Sequence, residues 1–210
     1  IKEVARTGKP VILSTGLASI KEMQSAVEVI LKENNTDIVL QHCMLSYPCE
    51  DKDANLAKMI KMKEIFSDIP IGYSDHTYGD PIPTAAVSLG ACTIEKHFTL
   101  DKSLPDSPDH GFALDPQETK IMVDRIRRTE KGIGEFVDGY YEAEKQAFKF
   151  ARKSLTTLVL IPKGTKILAD MLTAKRPGTG YYPNDLGLVV GQTAKVDIEE
   201  DETIMPDMIL

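Results

Sequence analysis

Of the chain's four histidines, two recur in matching settings, His76 in GYSDHT and His97 in IEKHFT. Each closes a short apolar run of the kind that forms a strand, and neighbouring strands lie about 4.8 Å apart. Imidazoles at two adjacent strand ends can therefore share one metal ion. With only two nitrogen donors, and carboxylates or water nearby, such an ion keeps open positions for substrate oxygens, which suits a Lewis acid better than a structural zinc. Either histidine alone reads as well as a hydrogen-bonded strand-end residue. It is the pair that points to chemistry.

Other polar residues cluster at comparable places. Ser14, Thr15 and Gly16 end an earlier run with hydroxyls and a pliable backbone, a place to meet a phosphate or carboxylate or simply a turn before a helix cap. Ser74 could donate to an anion in the same mouth, while Asp75 orients its neighbours or accepts backbone hydrogen bonds. Side chains alternate along a strand, so if His97 faces inward Glu95 does too. Glu95 is then a candidate for positioning a hydroxyl or moving a proton, and Lys96 becomes a surface or helix-packing residue. His42 in QHC lacks a partner motif and reads as structural. Asp109 and His110, after the proline-rich SLPDSPDH stretch, and Tyr47-Pro48, after QHC, lie on loops where active-site contacts belong.

The elements that must position these groups follow from the pattern. Expected strands run over Val11 to Thr15, Ile38 to Cys43, Ile69 to Ser74 and Cys92 to Phe98, apolar enough to be covered on both faces. Between them come helical periodicities. One begins at a Ser19/Glu22 capping box; a second runs from Asn55 to Phe66 with Leu56, Met59 and Ile60 inward. A third starts at Asp80-Pro81 and stops before Gly90, and a fourth is capped by Asp115 and ended near Gly132 to Gly134. Alternating strands and helices predict an α/β fold with a parallel sheet, and its polar strand ends coincide with the edge where such folds place their sites. Four βα units make half of a (β/α)8 TIM barrel, which leaves two strand edges unpaired. A start at Ile1, inside a helical stretch, reads as a fragment whose other half is missing.

Residues 138–153 form a charged, helical connector. Beyond it, Thr156 to Leu160, Thr165 to Leu168, Leu188 to Val190 and Ala194 to Ile198 predict short strands of a small β-rich domain. The expected organisation is thus residues 1–137, a linker at 138–153, and a second domain at 154–210. A formal charge of -7 argues against nucleic acid as a partner. Three cysteines without metal-finger or C-x-x-C spacing read as reduced thiols, no apolar run is long enough to span a bilayer, and a cytoplasmic location is the default expectation.

GYSDHT, LGACTIEKHFTLDK, SPDH and AKRPGTG, in this order, resemble the sialic acid synthase family over essentially the whole chain. The resemblance implies a (β/α)8 barrel, of which strands five to eight are present, joined to an antifreeze-like SAF domain. It implies condensation of phosphoenolpyruvate with an N-acetylated aminosugar, N-acetylmannosamine or a diacetamido-hexose, to a nonulosonic acid with release of phosphate. His76 and His97 would bind a divalent ion, Mn2+ or Mg2+. Ser14 and Ser74 would contact phosphoenolpyruvate, and Glu95, Tyr47 and Asp109 would face the sugar. Arg176 in KRPG would reach across a domain-swapped homodimer into the partner's site.

Leu45 departs from the family's pattern, which has a polar residue such as Asn there. The family's phosphate-binding lysine and a further glutamate belong to strands outside this chain, so the fragment alone should be inactive. The competing expectation is a non-catalytic carbohydrate-binding or assembly module built on the SAF domain.

Overall fold

Parallel neighbours need a crossover connection, usually a helix, and the four strands that form are joined in this way. β1 (Val11–Ser14), β2 (Ile38–Cys43), β3 (Ile71–Asp75) and β4 (Ile94–Lys96) make one sheet in the order β1-β2-β3-β4. The structure, a computed structural model, describes every residue from Ile1 to Leu210 and divides into two units, Ile1–Gly134 and Glu135–Leu210. The first is half of a (β/α)8 barrel.

In that unit a short turn, α1 (Lys2–Ala5), precedes β1, and the crossovers are α2 (Ile20–Leu31), α3 (Leu56–Ile65) and α4 (Pro81–Ser88), with α5 (Pro116–Ile133) after the last strand. Local chemistry sets their starts. Ser19 and Glu22 form a reciprocal capping box at α2, and Asp115 and Glu118 form another at α5, with Pro116 in the first turn. Each such cap contributes about 1 kcal/mol. Gly134 ends α5 at a φ of 55°, a backbone state that a Cβ disfavours.

The helices lie on one face of the sheet, where Val11, Leu40, Ile71 and Tyr73 pack with Met23, Val27, Ile30, Met59 and Met62. Burying each such side chain contributes roughly 1.5–3 kcal/mol. Met62 takes the inward place expected of Ile60, which is exposed: α3 begins at Leu56, and Met59 and Met62, three apart, set its buried stripe. The opposite, concave face is not closed over, and Ile12 stays largely exposed on it. Coverage on both faces holds for β2 and β3, where Gln41, Cys43 and Ser74 are buried on the concave side, and fails at the outer strands, where Ser14 and Glu95 are exposed on it.

β4 is shorter than the expected Cys92 to Phe98 because its ladder with β3 covers only Tyr73↔Ile94 to Asp75↔Lys96. Beyond it the chain pairs with a later segment. Phe98 bridges Leu114 in parallel, Leu114 N–H donates to His97 O, and Thr99 N–H donates to Leu114 O. Residues 100–113 thus leave the rim and return to it.

In the second unit, α6 (Lys145–Ala151) leads to β5 (Ser154–Thr157), which pairs antiparallel with β6 (Leu172–Lys175). Most other contacts are single bridges, Ile161↔Ile198, Lys166↔Thr193 and Ala194↔Ile209. The strands expected at Thr165 to Leu168 and Ala194 to Ile198 are therefore extended chain without a ladder, interrupted by turns at Gly164 and Gly191, both at positive φ. Leu188 to Val190 is corrected more sharply. Tyr182 and Asp185 cap a turn that continues into a helix, α7 (Leu186–Val189). A core of Leu155, Ile161, Ile167, Val189, Ala194, Ile198 and Ile204 holds the unit together. Gly180 passes so close to Ile204 that a Cβ would lie 2.2 Å from its carbonyl oxygen.

Candidate active site

The site grows from the alternation of β2, β3 and β4. On the concave face the register sets Ser14, Gln41 and Gly72 side by side, and above them Cys43, Ser74 and Glu95. In the lower row Ser14 Oγ donates to Gln41 Oε1 at 3.3 Å, and Gln41 Nε2 donates to Thr93 Oγ1 at 3.2 Å. Gly72 is required there, since a Cβ would meet Thr93 Oγ1 at 2.0 Å. In the upper row Ser74 Oγ donates to Glu95 Oε1 at 3.0 Å. The Ser74 hydroxyl is thus engaged with Glu95, and only its lone pairs remain for other partners.

One residue past each strand end, with the same parity, stand His76 and His97. Their ring centres are 5.2 Å apart and nearly perpendicular. His76 is buried, and its Nδ1 lies 2.6 Å from the carbonyl of Met44. A carbonyl only accepts, so Nδ1 carries a proton, and Nε2 is the nitrogen left to face a metal. Donation from the second ring nitrogen to a carbonyl is the usual way a metal-binding histidine is oriented. The Nδ1 of His97 is 3.6 Å from Asp109 Oδ2. Burial, then the neighbouring His76, pushes the His97 pKa below its ordinary value, against the opposing pull of Asp109. A neutral imidazole is the form that binds metal.

Loops complete the surroundings. Tyr47 lays its ring 4.0 Å from that of His76 and 5.8 Å from that of His97. Burial, followed by the charges of Cys43, Asp109 and Glu95, raises its phenol pKa, so the hydroxyl keeps its proton. Asp109 sits in a 3-10 turn, Pro108–Gly111, opened by Ser107 Oγ accepting its N–H. That turn comes back to the rim through the Phe98–Leu114 bridge and brings buried Phe112 to 4.9 Å from the His97 ring.

The structure therefore gathers His76, His97, Glu95, Ser74, Tyr47 and Asp109 at one rim. Ser14 lies a row lower and two strands away, exposed at the end of β1. Arg176 belongs to the second unit, exposed just after β6, where its Nε donates to Ala151 O at 3.0 Å. His110 binds Thr99 Oγ1 and Asp106 and holds the loop. His42 is buried on the helix side with Nε2 2.9 Å from Ala54 O. Lys96 is not a surface residue: it faces the helices and is buried against Asp75. No local pattern in the sequence marks Phe112 or the Met44 carbonyl. Gln41 was legible, since it shares its parity with Cys43.

The donor set fits a divalent ion. A shared ion about 2.1 Å from one nitrogen of each ring tolerates ring centres up to roughly 6.5 Å apart, and the observed pair lies within that span. Two imidazoles are fewer donors than a divalent ion takes, so an ion held by them would have further positions for water or substrate oxygens.

The signature of the NeuB family spans residues 1–138, and that of the SAF domain spans 152–210. The chain belongs to the NeuB family. Over its whole length this NeuB-family chain is 43% identical to an uncharacterized protein of Methanocaldococcus jannaschii, covering 62% of that protein. Over 97% of its length it is 39% identical to the N,N'-diacetyllegionaminic acid synthase of Campylobacter jejuni, covering 61% of that enzyme. The chain thus spans about six-tenths of the curated relatives it matches. Among solved structures, the spore coat polysaccharide biosynthesis protein spsE of Bacillus subtilis is 37% identical with a TM-score of 0.60, matching all of this chain and 63% of that one. No helix in the NeuB-family chain is long and apolar enough to cross a membrane.

Proposed function

We propose that the protein to which this chain belongs condenses phosphoenolpyruvate with an N-acetylated aminosugar, N-acetylmannosamine or a diacetamido-hexose, to give a nonulosonic acid and phosphate. The observation that carries this reading is the convergence of His76 and His97 on one rim, above Glu95 and beside Tyr47 and Asp109. Membership of the NeuB family and the similarity to a legionaminic acid synthase support it.

His76 through Nε2, and His97, would hold a divalent ion, Mn2+ or Mg2+, which when bound supplies Lewis-acid polarisation of the sugar's aldehyde oxygen. Glu95, in the row beneath, would accept a hydrogen bond from a sugar hydroxyl or move a proton. Tyr47 offers an aromatic face and a protonated hydroxyl, and Asp109 a carboxylate acceptor, so the sugar is oriented from two loops. Ser14 and Ser74 would contact phosphoenolpyruvate on the strand ends by turning their hydroxyl protons from Gln41 and Glu95 to the anion. In the overall chemistry C3 of phosphoenolpyruvate bonds to the aldehyde carbon, water adds at C2, and phosphate leaves with cleavage of its C–O bond. Holding both substrates in register lowers the barrier mainly through orientation.

Arg176 would act in the site of a second copy within a domain-swapped homodimer, and the chain alone would lack turnover. On this reading the protein would be a biosynthetic transferase acting in the cytoplasm.

The test is release of inorganic phosphate by the full-length protein given phosphoenolpyruvate, each candidate sugar and Mn2+. Turnover abolished by EDTA and by His76→Ala or His97→Ala is the expected result. Phosphate release unaffected by both substitutions would reject the metal role, and no turnover with any N-acetylated aminosugar would reject the reaction.

A further inference from the structure

Behind the two histidines, on the helix side of β3 and β4, lies a buried ion pair for which the chemistry above has no use. Lys96 Nζ is 2.5 Å from Asp75 Oδ2, with side-chain exposures of 4% and 0%. The same ammonium donates to the carbonyl of Thr77. Asp75 also accepts from Tyr73 OH at 3.0 Å, from Thr77 N–H at 3.2 Å and from Thr77 Oγ1 at 2.9 Å. Removing two charges from water costs about what their attraction returns, so an apolar pair of similar volume would serve stability as well. What an apolar pair cannot supply is direction.

Direction matters here because of where the sheet ends. The last registered pair of the β3–β4 ladder is Asp75↔Lys96 itself, so His76 and His97 stand one residue beyond the registered pairs of the two strands. Asp75 precedes His76, Thr77 follows it, and Lys96 precedes His97. One ammonium therefore grips the backbone neighbours of the first histidine on both sides while being the covalent neighbour of the second. We infer that Lys96 and Asp75 are positioning residues: their buried pair fixes the separation of the His76 and His97 rings, so that a divalent cation meets two imidazoles already in place. The inference rests on the metal role proposed for those histidines.

Cobalt(II) binding to the full-length protein, followed by its visible absorption bands and by titration, tests it without reference to turnover. Lys96→Met alone would strand a buried carboxylate, so the informative variant is Lys96→Met with Asp75→Asn, which keeps the stem volume and the contacts to Tyr73 and Thr77. It is expected to melt within a few degrees of wild type yet bind cobalt at least about tenfold more weakly, in the range set by losing support around a metal ligand, with altered absorption bands. Lys96→Arg keeps the charge but shifts it. It is expected to lose a few-fold in affinity, and it carries the test should the double variant fail to fold. Wild-type affinity and spectrum in whichever of these variants folds would overturn the positioning role and leave the metal site standing. A wild-type protein that binds no cobalt, or whose binding survives His76→Ala, would overturn the metal site and this inference together.

Discussion

In the C-terminal unit the buried hydroxyls are committed to structure. Ser154 Oγ donates to Pro177 O and accepts from the N–H groups of Thr179 and Gly180, and Thr157 Oγ1 donates to Glu199 O and accepts from Glu202 N–H. At the rim of the N-terminal unit the polar groups are only half committed. His76 uses one ring nitrogen, and His97 faces Asp109 across 3.6 Å without a hydrogen bond. A unit with little regular ladder needs every hydroxyl to satisfy its loops. A unit whose sheet and helices satisfy the backbone can leave side-chain donors and acceptors free for a ligand. Removing a polar group should therefore cost stability in one unit and function in the other.

The sharpest break of that contrast would come from Glu95→Gln. Turnover of the full-length protein should fall about 10²- to 10⁴-fold if Glu95 moves a proton, while the unfolding free energy stays within about 0.5 kcal/mol. A loss of stability comparable to the loss of rate would erase the distinction. In the C-terminal unit Ile198→Ala empties a place in a tightly packed core and should cost about 2–5 kcal/mol in denaturant unfolding, with cobalt affinity at the histidine pair unchanged. Thr157→Val, which strands the Glu202 N–H and the Glu199 carbonyl, should cost about 1–3 kcal/mol by the same measurement. Neutrality there would mean that those loop groups are satisfied otherwise.

Acidification should separate the units by a smaller amount. All four histidines lie in the N-terminal unit. Burial disfavours the charged form of His42 and lowers its pKa below the ordinary 6.5, a shift only partly opposed by its bond to Ala54. The unfolded chain therefore binds this proton more readily than the folded one. The stability is complete above pH 6.5 and is lost as pH falls below it towards the folded value, at no more than about 1.4 kcal/mol per pH unit for one group. Amide exchange at pH 7.5 and 5.5, corrected for intrinsic rates, should show weakened protection in β2 and α3 and little change in β5 and β6. Equal weakening in both units would remove histidine burial as the cause.

What the sequence determined by itself was set within a few residues. The capping boxes at Ser19 and Asp115 placed two helix starts, and the alternation of β3 and β4 put Ser74, Glu95, His76 and His97 on one face, with Asp75 and Lys96 on the other. These are consequences of backbone periods of 3.6 and 2 residues, which any window of sequence carries. Tertiary structure alone decided that Lys96 is buried against Asp75 from the neighbouring strand, that Tyr47 lies against His76, and that the loop from Leu100 to Ala113 returns Asp109 and Phe112 to His97. It also decided that most extended segments after Thr157 meet their partners through single bridges. Such contacts join residues from about ten to some forty positions apart, and their geometry follows from how crossovers and loops close around a packed core, which no local periodicity encodes.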